Sequence, residues 1–149
     1  MNPPLSFELE RCKKIFNTGI LGTNQVLGLS ALIEILIRLD YILKSLDKAG
    51  KRIIFTDDVK NGDISDLINN MRNAACHSDS DRNKIGTNTL IYNVIKGYSP
   101  SAIKIGSTVL GCHYEDDIAI NFGEKIIYLE RHIHRLLQVL PAQITSIEK

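Results

Sequence analysis

The segment 63–77 carries the residues of this chain best suited to chemistry. On a helix turning about 100° per residue, its apolar side chains form one stripe and its polar side chains gather on the opposite face. That face presents a guanidinium, an imidazole, a carboxylate and amides, from Arg72, His77, Asp66, Asn69, Asn70 and Asn73. It contains no lysine or glutamate, the helix-favouring residues from which solvated faces are usually built. A solvated surface is one interpretation; the other is a site that orients an anion and moves a proton.

Arg72 and His77 are five positions apart, which separates them by about 140° on a regular helix. They converge if the helix loosens at His77, just before the polar loop that follows it. They also converge if two chains pack these faces together across a two-fold axis, which forms one cleft with two arginines and two histidines. We favour the second arrangement, a homodimer, because the cores of protein interfaces are depleted of lysine.

Residues 72–77, RNAACH, are similar to the R-x4-H signature of the HEPN superfamily, small α-helical proteins that include many bacterial ribonuclease toxins and defence proteins. In that family the motif lies late in the third helix of a four-helix bundle, and a polar residue, often Asn, follows the arginine. The resemblance implies that Arg72, Asn73 and His77 are catalytic, and that active members are homodimers with both motifs in one cleft. In one branch a modified tyrosine stands where this chain has Asp79, so control by tyrosine modification is not expected.

The activity implied is metal-independent endoribonucleolytic cleavage of RNA by a toxin or defence effector. His77 would take the proton of a ribose 2′-hydroxyl, Arg72 would hold the phosphate, and Asn73 would orient the phosphate or the imidazole. The alternative is a catalytically inactive HEPN-like module for dimerisation or for binding an antitoxin or defence partner protein. The formal net charge of +1 favours the alternative, because a general ribonuclease normally carries a basic groove.

The predicted fold is mainly α: a four-helix bundle with a small antiparallel β insertion between the third and fourth helices. Apolar periodicity predicts helices over about 7–17, 24–48, 64–77 and 124–140, with Asp63 capping the third and Pro141 closing the fourth. A change to alternating apolar residues predicts a β hairpin within about 89–122. The whole chain, 1–149, is expected to form one helical domain, because 149 residues is the size of an ordinary domain.

Composition argues against the disulfide-linked, secreted and membrane-spanning classes of protein. The three cysteines are odd in number and widely spaced, which argues against a disulfide framework and for reduced thiols in the cytoplasm. The sequence shows no secretory signal and no apolar run of about 20 residues, so no membrane association is expected.

No cofactor and no metal are predicted. The pairs Cys76-His77 and Cys112-His113 are adjacent, whereas zinc ligands usually stand two to four positions apart. The acidic corner Glu115-Asp116-Asp117 is expected to be a hairpin turn kept soluble by its charge. His132 and His134 lie about 200° apart on a helix and are expected at the surface.

Overall fold

The computed structural model describes residues 3–76, the backbone of 84–85 and 88–89, and residues 92–148. Its helices are α1 (Leu5–Asn17), α2 (Val26–Lys48), α3 (Ile64–Cys76) and α4 (Arg135–Thr145). A short 3₁₀ helix, Ile20–Gly22, joins α1 to α2, and a π-helix, Leu129–His134, leads into α4. The prediction of four helices with antiparallel strands after the third is confirmed.

The strands form more than the single hairpin that the sequence predicts. They are β1 (Lys84–Ile85), β2 (Asn88–Thr89), β3 (Asn93–Lys96), β4 (Ser99–Ile105), β5 (Thr108–Cys112), β6 (Ile118–Phe122) and β7 (Lys125–Tyr128). They pair antiparallel as β1 with β2, as β4 with β5, and as a three-stranded sheet in the order β3-β6-β7. The fold is therefore a helical assembly with a substantial β layer rather than a pure bundle.

The predicted start of the fourth helix near residue 124 is wrong, because Lys125–Tyr128 form β7. Ile127 pairs with Ile120 of β6, and both side chains are buried. Gly123 adopts φ +62° at the first position of the two-residue turn between these strands, a conformation that suits glycine and tight hairpins. The predicted end is also wrong, since Pro141 lies inside α4 and the helix continues to Thr145.

The core lies around α2, which contributes more fully buried side chains than any other described helix. Fully buried residues recur along it at Leu32, Ile35, Leu36, Leu39, Ile42 and Leu46. The helices α1 and α3 pack on α2, and α4 packs on α1. The three-stranded sheet joins the same core through Ile120 and Phe122 of β6 and Ile127 of β7. Since β6 and β7 also contact α3, α3 is held between α2 and the sheet.

The described helices include none with the combination of length and apolarity that a membrane crossing requires.

Candidate functional site

The start of α3 is fixed by a reciprocal cap. The Asp63 carboxylate accepts a hydrogen bond from the Asp66 backbone N–H at 2.9 Å, and Asp66 accepts one from the Asp63 N–H at 3.0 Å. Arg52 donates to both carboxylates at 2.9–3.0 Å. Burial raises the pKa of Asp63, but the Arg52 guanidinium and the Asp66 N–H outweigh it and hold that pKa below its ordinary value. The predicted cap at Asp63 is confirmed, and it anchors the helix that carries Arg72.

The polar face of α3 does not simply meet water, because it packs against a buried carboxylate of α2. Asp40 is 5% exposed and accepts hydrogen bonds from Lys44 Nζ at 2.7 Å and from Asn69 Nδ2 at 3.1 Å. A buried carboxylate needs such partners, since an unpaired one is costly. Asp40 therefore fixes the amide orientation of Asn69.

From Asn69 the contacts continue to the predicted catalytic residues. Asn73 Nδ2 donates to Asn69 Oδ1 at 3.3 Å, and Arg72 Nη1 donates to Asn73 Oδ1 at 3.1 Å. Arg72 Nε lies 4.0 Å from Asp40 Oδ2, at the outer limit of an ion pair, and the Arg72 side chain is 34% exposed. We call Asp40, Asn69, Arg72 and Asn73 the Asp40 network. It holds the guanidinium at the surface in a defined orientation.

Of the three residues predicted as catalytic, Arg72 and Asn73 are in direct contact. His77 lies outside the described residues, directly after the last residue of α3. The sequence reasoning missed Asp40. A signal for it existed, because Asp40 is the one carboxylate between Leu36 and Leu43 in the most apolar helix and stands four positions before Lys44, a spacing that pairs charges on a helix.

The two sides of the polar face of α3 border two different cavities. On the α2 side, a cavity of about 220 Å³ is lined by Asp40, Lys44 and Asn69 among others. On the sheet side, a larger cleft of about 470 Å³ is lined by Leu67 and Asn70 of α3, by loop 58–61 and by parts of β5 and β7. The polar face that the sequence predicts as one site therefore borders two separate cavities, one on each side of α3.

His132 is buried, and the prediction that it lies at the surface is wrong. Its Nδ1 accepts a hydrogen bond from the Tyr128 backbone N–H at 2.9 Å, so the proton resides on Nε2, which donates to the Asp57 carbonyl at 2.8 Å. Burial lowers the pKa of His132. The neutral imidazole therefore links the backbone at Tyr128 to the backbone at Asp57, and it is not available as a general base. His134 is more exposed and contacts Glu130, as expected of a surface histidine.

The acidic corner also has a structural role that its composition did not indicate. Asp117 is buried and accepts hydrogen bonds from the backbone N–H groups of Ile118, Glu130 and Arg131 at 2.7, 2.9 and 3.1 Å. It also receives the Arg131 guanidinium at 2.9 Å. The expectation of a solvated turn is wrong for Asp117, which caps the helical segment beginning at Leu129.

Comparison with known proteins supplies no relative: the chain matches no protein-family model, no curated protein and no solved structure.

Proposed function

We propose that the protein is a metal-independent endoribonuclease of the HEPN type that acts as a homodimer, in the role of a toxin or defence effector. The observation that carries the proposal is the contact of Arg72 with Asn73 near the end of α3, within the Asp40 network. A guanidinium held by hydrogen bonds and still partly exposed is suited to a phosphate, because it loses little freedom on binding. The finer fold assignment, a HEPN bundle with a β insertion, belongs to the same proposal.

The reaction follows from the chemistry of the three residues. Neutral His77 accepts the proton of a ribose 2′-hydroxyl, and the 2′-oxygen attacks the adjacent phosphorus. Arg72 offsets the negative charge that builds on the non-bridging oxygens, and Asn73 holds the guanidinium in place. The bond from phosphorus to the 5′-oxygen breaks, and His77 of the partner subunit protonates that oxygen. The products are a 2′,3′-cyclic phosphate and a 5′-hydroxyl.

A binding module is the second candidate, favoured by two observations. The net charge of +1 provides no general attraction for RNA, and Arg72 lies near the carboxylate of Asp40, which offsets part of its charge. In this case the same face would bind a second copy of the chain and an antitoxin or defence partner without cleaving RNA.

A cleavage assay separates the two. Purified protein is incubated with total RNA at neutral pH in the presence of a chelator, as wild type, Arg72→Ala, His77→Ala and Arg11→Ala. Arg11 is an exposed arginine of α1 paired with Glu34, and it controls for loss of a surface guanidinium. The nuclease proposal expects wild type and Arg11→Ala to cleave, with rates lower by about 10²-fold or more for the other two. Intact RNA with wild-type protein would leave the binding module as the function.

A further inference from the structure

The cleft on the sheet side of α3 has the dimensions of a small-ligand site. Its volume of about 470 Å³ lies within the usual range of about 300–1,000 Å³ for ligand pockets. Helix α3 lines it through Leu67 and Asn70, and β5 and the turn into β7 line it as well. Loop 58–61 contributes the remaining segment of the lining that precedes α3. Three separate parts of the fold therefore converge on one concavity.

The acidic side chains of this cleft have hydrogen-bond partners within the protein, whereas its basic and amide side chains are available to a ligand. Its carboxylates already have partners: both Asp58 oxygens accept from the Tyr114 hydroxyl, at 2.7 and 2.8 Å, and Glu124 accepts from Thr108 Oγ1 at 3.4 Å. Its side-chain donors include Lys60, Asn61, Asn70 and Lys125. Among the described residues, none of these four side chains has a hydrogen-bond or ion-pair partner. The cleft thus offers two ammonium groups and two amides to a ligand.

The rest of the lining is largely apolar. Leu67, Leu110 and Tyr128 are buried, and Val109 is exposed. A ligand that matches such a cleft has an anionic part for the lysines, a flat apolar part for the wall, and an edge of donors and acceptors for the amides. A nucleotide of single-stranded RNA has all three, and RNA-binding proteins recognise unpaired bases in part through hydrogen bonds to the base edges.

The cleft also adjoins the candidate site along α3. Asn70 lines the cleft, and Asn73 of the Asp40 network follows it by three positions, so the two are neighbours on one side of the helix. We propose that this cleft binds one nucleotide of a single-stranded RNA, with Lys60 and Lys125 contacting phosphates and Asn61 and Asn70 contacting the base. Delivery of the adjoining phosphodiester to Arg72 rests on the proposed ribonuclease function; binding in the cleft does not.

The test measures binding without cleavage. A fluorescently labelled single-stranded RNA with 2′-O-methyl riboses lacks the attacking hydroxyl, and its affinity for the full chain is followed by fluorescence anisotropy over a range of salt concentrations. The variant is Lys60→Ala/Lys125→Ala. Its matched control is Lys14→Ala/Lys48→Ala, which removes the same charge from exposed positions of α1 and α2. Asn70→Ala is measured on oligonucleotides of different base composition.

We expect the cleft variant to bind roughly tenfold more weakly, with a log–log salt dependence that is shallower by about 0.7 for each phosphate that the variant no longer neutralises. The control variant should bind as the wild type does, and Asn70→Ala should alter the preference among bases. Equal binding by wild type and cleft variant would overturn the cleft proposal, as would no binding by the wild type. The cleavage assay above is independent: RNA bound in the cleft but never cut would support the cleft and refute the nuclease.

Discussion

Asn69 of α3 donates its side-chain amide to Asp40 of α2 at 3.1 Å, although 29 positions separate them in the chain. This bond joins the buried carboxylate to the amides that orient Arg72. The polar face of α3 is thereby part of the helix packing as well as the candidate site. Two of its asparagines, Asn69 and Asn73, are unfavourable for helix formation, but their amides make contacts that lysine or glutamate could not reproduce.

Replacing Asp40 should destabilise the fold. Asp40→Ala removes the acceptor for the Asn69 amide and for Lys44, and we expect a loss of about 2 kcal/mol in the free energy of unfolding, since hydrogen bonds to buried charged groups are worth about 1.5–3 kcal/mol. Urea denaturation monitored by circular dichroism measures it. The control is Glu10→Ala, which removes an exposed carboxylate paired with Lys13. Equal stability of the two variants would refute a structural role for the Asp40 network.

Asp116 and Asp117 both pair with Arg131, but replacing them should have very different effects on the free energy of unfolding. The Asp117 side chain is fully buried and that of Asp116 is 79% exposed. Asp117→Ala leaves three backbone N–H groups without their acceptor, so we expect a loss of about 3 kcal/mol. Asp116→Ala should cost less than about 0.5 kcal/mol, because exposed ion pairs contribute little. Thermal and urea unfolding of the two variants measure both losses of stability. Similar losses for Asp117→Ala and Asp116→Ala would contradict the role of Asp117 as a buried cap.

Stability should decline with acidification through His132. Burial lowers its folded-state pKa, so the unfolded chain takes up a proton that the folded chain does not. The contribution of His132 to the free energy of unfolding is therefore fully present above its unfolded-state pKa of about 6.5. It is lost as the pH falls from there toward the folded-state pKa.

Urea unfolding at a series of pH values measures this loss in wild type and in His132→Gln. His134→Ala, at an exposed position, is the control. The wild type and the control should lose stability below pH ~6.5 more steeply than His132→Gln, by up to about 1.4 kcal/mol per pH unit. Parallel curves for all three would show that His132 is not a buried neutral group.

The cysteines should report on the candidate site. Cys76 is exposed at the end of α3, whereas Cys12 and Cys112 are buried, and burial raises the pKa of Cys12 to about 12. A thiol reagent should therefore modify Cys76 alone in the native protein. Cys76 stands one helical turn from Arg72, so a bulky adduct there should block RNA cleavage.

The control for this experiment is Cys76→Ser, which should retain activity and become insensitive to the reagent. Rapid labelling of all three cysteines under native conditions would contradict the burial of Cys12 and Cys112. Full activity of the modified wild type would argue against RNA binding at this end of α3.

What the sequence could predict was local. The extent of α3, its cap at Asp63 and the adjacency of Arg72 and Asn73 all follow from helix periodicity and capping within about fifteen residues. The contact of α3 with Asp40 depends on how two helices pack, and no short-range pattern contains it. The cleft beside Asn70 was equally out of reach, since loop 58–61, α3 and the strands converge on it from distant parts of the chain.

The error at β7 has a different origin. Residues 125–128 are too few for the apolar pattern to distinguish a strand from the first turn of a helix. These residues form a strand because they pair with β6 and because the turn at Gly123, with its positive φ, reverses the chain direction. For His132, periodicity indicates a helical position but not the identity of its neighbours, which are the Tyr128 N–H and the Asp57 carbonyl.

The central claim, that Arg72 and His77 perform metal-independent transesterification, is tested most directly by the ends of the RNA fragments. A defined RNA is incubated with the wild type in the presence of chelator, with Arg72→Ala alongside, and the fragment termini are determined. We predict a 2′,3′-cyclic phosphate and a 5′-hydroxyl from the wild type and no such fragments from Arg72→Ala. Fragments ending in a 3′-hydroxyl and a 5′-phosphate, or unbroken RNA from the wild type, would contradict the account.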